Sequence, residues 1–440
     1  MKINRVAVIG ATGAIGSLMS GIISAFGGCE VYMVSRTKQK AIDSIDRIVR
    51  SVKSDTIRER LLPVGFDDLS YCLSNTDWVF ESVSENMDVK SEINKEISKY
   101  IRPGTIVSSG TSGLSLEKLS ECLNKDQQKY YLGTHFYNPP YNMILCEIIP
   151  TSKTNDTVIN EMKKYLSTVL RRKTVIMKDT PAFLGNRIGF QVLNEALKYA
   201  EEYKDEGGID YIDAILGPYT GRMMAPLETL DFVGLDIHKA IVDNIYINTS
   251  DFAHDDFILC DTVNELIQDG KLGKKTNSGI YANDLSDNGE KRKLVYDLKS
   301  KSLRPVKTYK FSYSDKMIEY LHEGNYINAL KEVISNKSKE AQICLHFMLK
   351  YIVYSVIVSN DVSIQVKDVD ACMAYGYNWA PPLTLMEAFG GFESIIGIIT
   401  QNRNIWPDIN ESILNNFRQI CMDKDILSGI DYKKYFRACY

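Results

Sequence analysis

The chain lacks an apolar run approaching the roughly 18 residues needed to cross a bilayer, so no membrane partner is expected. It lacks CxxC pairs, and its nine cysteines are an odd number. That excludes a ready disulfide framework and reads as small buried residues in a reducing compartment. Positive charge is not in excess: 52 Lys and Arg stand against 56 Asp and Glu, for a net charge of −4. The basic residues are scattered as well, so no nucleic-acid partner is expected. No apolar signal segment precedes the first strand-like run, because MKINRVAVIG reads directly as a strand, and a cytoplasmic location is the expectation. No metal-ligand set stands out. What is present is globular: 44% hydrophobic and 25% charged residues over 440 positions, a length that calls for two or three domains.

Residues 1–180 alternate short β-branched runs with amphipathic helical patterns. Strands are predicted at Arg5–Ile9, Glu30–Val34, Trp78–Glu81, Thr105–Ser108, Tyr131–His135, Leu145–Ile149 and Lys173–Met177. Helices are predicted near Ile15–Phe26, Lys38–Val52, Val89–Tyr100, Leu116–Leu123 and Asn155–Leu170. Strands separated by crossover helices predict βαβ units and a parallel, doubly wound α/β sheet of the Rossmann type. Residues 181–283 turn helical. Residues 284–313 are polar and lysine-rich, which reads as a linker with a short hairpin through Leu294–Tyr296, and 314–440 are helical again.

The two helical stretches share a repeat. Asp213 leads to Ala225-Pro-Leu-Glu-Thr-Leu-Asp-Phe-Val-Gly234, and Asp370 leads to Pro381-Pro-Leu-Thr-Leu-Met-Glu-Ala-Phe-Gly390. The offset is 156 for the ten-residue block and 157 for the aspartates. The C-terminal third is therefore read as a duplicate of the middle domain, giving two related all-α domains after the sheet.

The first strand ends in Gly10-Ala-Thr-Gly13-Ala-Ile15-Gly16 and runs into a helix. Such a turn brings backbone N–H groups to a pyrophosphate at a helix N-terminus; the bland alternative is an ordinary strand–helix turn. An NAD site places a carboxylate at the end of the second strand for the ribose hydroxyl. Here Ser35 and Arg36 stand there, with Lys38 and Lys40 behind. The cofactor is thus NAD or NADP, and the guanidinium favours the 2′-phosphate of NADP.

His135 closes a strand, and Glu147 lies twelve residues on, in the next one. Moving a hydride from an alcohol requires a base for the hydroxyl proton, which histidine supplies near neutral pH. A carboxylate on the other ring nitrogen would fix the tautomer. An isolated histidine is otherwise a core residue.

With these residues in view, the chain resembles the 3-hydroxyacyl-CoA dehydrogenase family. HFYNPP and CEII resemble its H-F-F-N-P-V-P and V-E-V motifs; Asp179–Ile188 resembles D-x-P-G-F-I-x-N-R; Phe80–Asn86 resembles I-E-A-V-x-E-N; and Lys271–Tyr281 resembles K-x-G-x-K-T-G-x-G-F-Y. The resemblance runs through residues 5–281, and the duplicated helical domain is similar to that of the longer members. It implies His135 as acid/base, Glu147 as its orienting carboxylate, and Asn186 and Ser112 on the substrate oxygen or thioester. It implies Glu85, Lys90, Asn138 and Lys275 as dinucleotide contacts, and an acyl-CoA thioester as substrate. In single-copy members the helical domain resembles a dimerisation module, so a fused second copy implies a monomer with an intramolecular pseudo-dimer, or a homodimer. The sequence departs from the pattern at Gly110, where the family has Asn, at Ala182, where it has Gly, at Gly185, where it has a bulkier apolar residue, and by one extra residue in the glycine loop. Two other readings stay open: a dehydrogenase of a free small 3-hydroxy acid, and a non-catalytic dinucleotide-binding protein.

Overall fold

The computed structural model describes residues 2–285, 291–423, 426 and 428–438. It divides into two compact units, Met1–Phe183 with Val362–Ile364 and Leu184–Asp361 with Gln365–Tyr440.

The first unit is built on an eight-stranded sheet in the order β3-β2-β1-β4-β5-β6-β7-β8. The strands are β1 (Arg5–Ile9), β2 (Glu30–Ser35), β3 (Leu61–Gly65), β4 (Trp78–Glu81), β5 (Ile106–Ser109), β6 (Tyr131–Phe136), β7 (Leu145–Pro150) and β8 (Lys173–Ile176). The helices are α1 (Ala14–Gly27), α2 (Lys38–Val52), α3 (Leu69–Ser74), α4 (Met87–Tyr100), α5 (Leu116–Ser120) and α6 (Asp156–Lys164). Continuous apolar runs such as Val6–Ile9 are buried along their length, as strands covered on both faces require. The order reverses between β1 and β4, which opens a ligand crevice at the carboxyl ends of the strands.

The unit departs from the sequence reading in several details, the unpredicted α3 among them. β3 was not anticipated: it is short and carries Pro63, which an edge strand tolerates because one side of its backbone makes no ladder bonds. The sheet is not wholly parallel, because β6 and β7 run antiparallel; residues 137–144 between them are too few for a crossover. The helix expected through Leu170 stops at Lys164 and continues as one wider turn, Tyr165–Val169, closed by the Leu170 N–H on the Tyr165 carbonyl at 3.2 Å.

The second unit holds α7 (Gly185–Glu202), α8 (Ile209–Ile215), α9 (Pro226–Val233), α10 (Leu235–Asn248), α11 (Asp261–Gln268), α12 (Ser312–His322), α13 (Tyr326–Ser335), most of α14 (Lys339–Val362), α15 (Asp368–Cys372), α16 (Pro382–Ala388), α17 (Phe392–Gln401) and α18 (Glu411–Asp423). Both helical copies and the segment between them pack into this one unit. The expected linker is a three-stranded antiparallel sheet of β9 (Tyr281–Leu285), β10 (Lys291–Asp297) and β11 (Ser302–Pro305); its residues 286–290 lie outside the described residues. Arg304 fastens it, with its guanidinium 2.7 Å from Asp210 and 2.9 Å from Asp297. By length and composition α14 is apolar enough to cross a membrane, contrary to the expectation that no run comes close, and nearly all of its apolar window is buried within the fold.

The repeat read from the sequence is matched by helix caps. Asp213 Oδ1 accepts the Leu227 N–H at 2.8 Å at the start of α9, and Asp370 Oδ1 accepts the Leu383 N–H at 2.7 Å at the start of α16. Gly221 and Asn378, equivalent in the two copies, are both left-handed, at φ +91° and +58°. The next equivalent pair, Arg222 and Trp379, form an antiparallel bridge with each other. At this bridge the two stretches meet through matching positions, as the halves of a symmetric dimer do.

Candidate active site

Antiparallel pairing of β6 with β7 makes His135 and Glu147 register partners, and partners across a ladder carry their side chains on the same face. His135 Nδ1 lies 2.7 Å from Glu147 Oε2, and both residues are buried. A carboxylate only accepts, so Nδ1 donates in this contact and Nε2 is the ring nitrogen left to face a substrate. Tyr137 donates its hydroxyl to the same Oε2 at 2.8 Å, and its ring centroid lies 4.6 Å from that of His135. Phe183 closes another side at 5.6 Å. Burial pushes the thiol of neighbouring Cys146 well above its ordinary range, so it stays neutral beside the carboxylate.

The glycine turn fits a dinucleotide pyrophosphate. Gly10 has φ +86°, and a Cβ there would come within 2.3 Å of the Ser82 carbonyl oxygen. A Cβ on Gly16 would meet the Gly10 carbonyl oxygen at 2.3 Å, so position 16 demands glycine for close strand–helix approach and position 10 for passage past the end of β4. Gly13 is the N-cap of α1, whose first turn carries no acidic residue and whose leading N–H groups have no intrahelical acceptor. The Ile15 side chain is half-buried against the core, so that residue serves the turn through its backbone. At the end of β2 the buried Ser35 hydroxyl donates to the Thr37 carbonyl at 2.7 Å, while Arg36 is exposed.

Glu85, Lys90 and Ser112 come together at the ends of β4 and β5. Glu85 Oε1 accepts the Ser112 N–H at 2.7 Å and the Thr111 hydroxyl at 2.6 Å. Lys90 is buried, with Nζ 2.8 Å from Glu81 Oε1 and 3.5 Å from Glu85 Oε2. Asn138 is exposed just beyond β6. Asn186 and Lys275 belong to the second unit. There Asn186 Oδ1 accepts the Tyr377 hydroxyl at 3.0 Å, and Lys275 pairs with Asp236. Ala182 stands at φ +62° and Phe183 at +54°, which explains a family glycine at position 182, since left-handed backbone disfavours a Cβ.

Two residues escaped the sequence reading. Tyr137 continues the strand alternation from His135 and so shares its face. Glu81 is a lone charge ending the apolar run Trp78-Val-Phe, and a fully buried charge calls for a partner nearby.

The NAD-binding domain of 3-hydroxyacyl-CoA dehydrogenase matches residues 5–180, and the C-terminal domain of the same enzymes matches 183–283. A probable 3-hydroxyacyl-CoA dehydrogenase of Deinococcus radiodurans is 31% identical over 64% of this chain and 83% of its own length. The chain belongs to the 3-hydroxyacyl-CoA dehydrogenase family. Another relative, a probable 3-hydroxyacyl-CoA dehydrogenase of Bacillus subtilis, is 28% identical over 75% of this chain, which spans only 41% of that relative. Among solved structures, 3-hydroxybutyryl-CoA dehydrogenase from Escherichia coli shares the fold with a TM-score of 0.68 at 19% identity, over 96% of this chain and 99% of that one. In this family member the second helical copy lies beyond the residues matched by the two domains.

Proposed function

We propose that the protein interconverts a 3-hydroxyacyl-CoA thioester and its 3-oxoacyl form. The His135–Glu147 contact carries this reading. When bound, the nicotinamide supplies the hydride acceptor or donor. Nε2 of His135 takes the C3 hydroxyl proton in the oxidative direction, and Glu147 stabilises the imidazolium that results. In the reductive direction the same nitrogen returns the proton. Ser112 and Asn186 are assigned to the substrate, and Glu85, Asn138 and Lys275 to the dinucleotide, by family resemblance. Lys90 is assigned to holding Glu85.

The absence of a carboxylate ending β2, with Arg36, Lys38 and Lys40 exposed, supports use of NADPH as well as NADH; the Ser35 hydroxyl is already committed to Thr37. Contact between equivalent positions of the two helical copies supports a monomer in which the second copy replaces a partner subunit. Size-exclusion chromatography with light scattering tests the oligomeric state, and an obligate dimer would count against the monomer.

The deciding experiment measures oxidation of NADH and NADPH, side by side, with acetoacetyl-CoA and with free acetoacetate. The reading expects turnover with the thioester at far lower concentration, because the remote nucleotide contributes binding energy. It expects His135→Gln to keep dinucleotide binding and lose about 10²–10⁴ in rate. Near-normal turnover by that variant would overturn it.

A further inference from the structure

We propose that Glu81 is a positioning residue that sets the loops bearing Glu85 and Ser112, acting through a closed ring of five residues. The ring runs from Lys90 Nζ to Glu81 Oε1 at 2.8 Å, and from Glu81 Oε2 to the Ser109 hydroxyl at 2.5 Å. It continues from Ser109 Oγ to the Thr111 N–H at 3.3 Å, and from the Thr111 hydroxyl to Glu85 Oε1 at 2.6 Å. It closes from Glu85 Oε2 back to Lys90 Nζ at 3.5 Å. Glu81 Oε1 also accepts the Val83 N–H at 2.7 Å, which ties down the start of the same loop.

Glu81 is 0% exposed and Lys90 1%, so neither gains from solvent. A buried ion pair adds little stability over well-packed apolar residues. It does fix direction, because each charged group must meet particular partners. This ring stands at the carboxyl ends of β4 and β5, the edge of an open α/β sheet where ligands bind. Of its members, only Glu85 is exposed. Glu81 thus reaches the site through Glu85 and through the Ser112 backbone that Glu85 holds.

The inference rests on the dehydrogenase reading, and its test separates the two. In the full chain, Glu81→Gln and Ser109→Ala are compared with the parent by NADH fluorescence titration, acetoacetyl-CoA kinetics and thermal midpoint. Both variants are expected to raise the NADH Kd and the acetoacetyl-CoA KM about tenfold, the scale of a small misplacement of positioning groups. The shape of the pH profile should not change, since His135 and Glu147 are untouched. In a Ser112→Ala background, Ser109→Ala is expected to add less than about twofold to KM, because both act through one loop. Should Glu81→Gln fail to fold, Ser109→Ala, which keeps the Glu81–Lys90 pair, carries the test. Folded variants with Kd and KM within about twofold of the parent, or full additivity with Ser112→Ala, overturn the positioning role while the dehydrogenase reading stands. A parent that neither binds NADH nor reduces acetoacetyl-CoA overturns both.

Discussion

The Phe80 ring stands where a side chain on residue 110 would begin: a Cβ added to Gly110 would lie 2.9 Å from Phe80 Cζ and 3.2 Å from the Glu81 carbonyl oxygen. The family pattern has a smaller Ile at the first position and Asn at the second, so the two departures compensate in volume. Phe80 is held in turn by an edge-on contact with Phe136 at 5.5 Å. Gly110→Asn alone is therefore expected to destabilise the chain by about 1–3 kcal/mol, the usual cost of overpacking. Combining it with Phe80→Ile should recover part of that loss. Urea midpoints of the two single variants and the double variant measure the coupling, and strict additivity would show that the ring is not the obstacle.

Glu147 serves two donors through one oxygen, His135 at 2.7 Å and Tyr137 at 2.8 Å. Replacing it with Gln puts an amide where a charge faced the imidazole, so the histidine tautomer is no longer set and its charged form is no longer supported. Glu147→Gln is expected to lower kcat by about 10²-fold or more. Tyr137→Phe leaves the His135 bond in place and should cost less than about tenfold. Single-turnover rates with saturating acetoacetyl-CoA distinguish them, and equal losses would remove the special status of the carboxylate.

The same site shows what a sequence can and cannot reveal. His135 and Glu147 were legible as residues on successive strands, but the antiparallel register that makes them a facing pair was not, because the sheet was read as parallel. The glycine turn was legible as a local pattern after the first strand, although the Ser82 carbonyl that demands glycine at position 10 comes from the end of β4. The Glu81–Lys90 pair was not, because burial of a charge depends on α4 folding back over β4, and no local pattern encodes that packing. β3 was hidden by Pro63, which reads as a strand breaker until the strand is known to lie at an edge. Leu294–Tyr296 were legible as part of a hairpin and lie buried in β10, whereas the polar composition around them masked β11 and the pairing with β9. The repeat was legible as spacing, but the matching caps that give it meaning needed coordinates.

Those caps carry a pH dependence. Burial pushes the Asp213 and Asp370 carboxyls up to about 7, because loss of water outweighs the hydrogen bonds each one accepts. In the unfolded chain an aspartate titrates near 4. Between about pH 4 and 7 the folded chain therefore binds more protons than the unfolded one, and stability falls as pH rises through that window. Asp213→Asn removes one such group, so its cost should be smaller at pH 8 than at pH 5, by about 2 kcal/mol. Urea unfolding of parent and variant at the two pH values isolates this one group from all others. An identical cost at both would mean that the carboxyl ionises as freely in the fold as in water.

Gly189 lies inside α7, where alanine would ordinarily favour the helix by about 1 kcal/mol. A Cβ there would stand 2.2 Å from Cζ of Tyr377, a ring supplied by the second helical copy and packed 5.1 Å from that of Trp379. The ring cannot retreat cheaply, and its hydroxyl is bonded to Asn186. Gly189→Ala is thus expected to destabilise by about 1–3 kcal/mol despite its better propensity. In a Tyr377→Leu background the same substitution should become neutral or stabilising, since the obstacle has gone and only the helix preference remains. Thermal and urea unfolding of the four chains read the reversal directly. If Gly189→Ala were equally costly in both backgrounds, Tyr377 would not be what holds that position to glycine, and the contacts of Lys350 and His346 with Glu195 would remain as the duplicate's hold on the helix that carries Asn186.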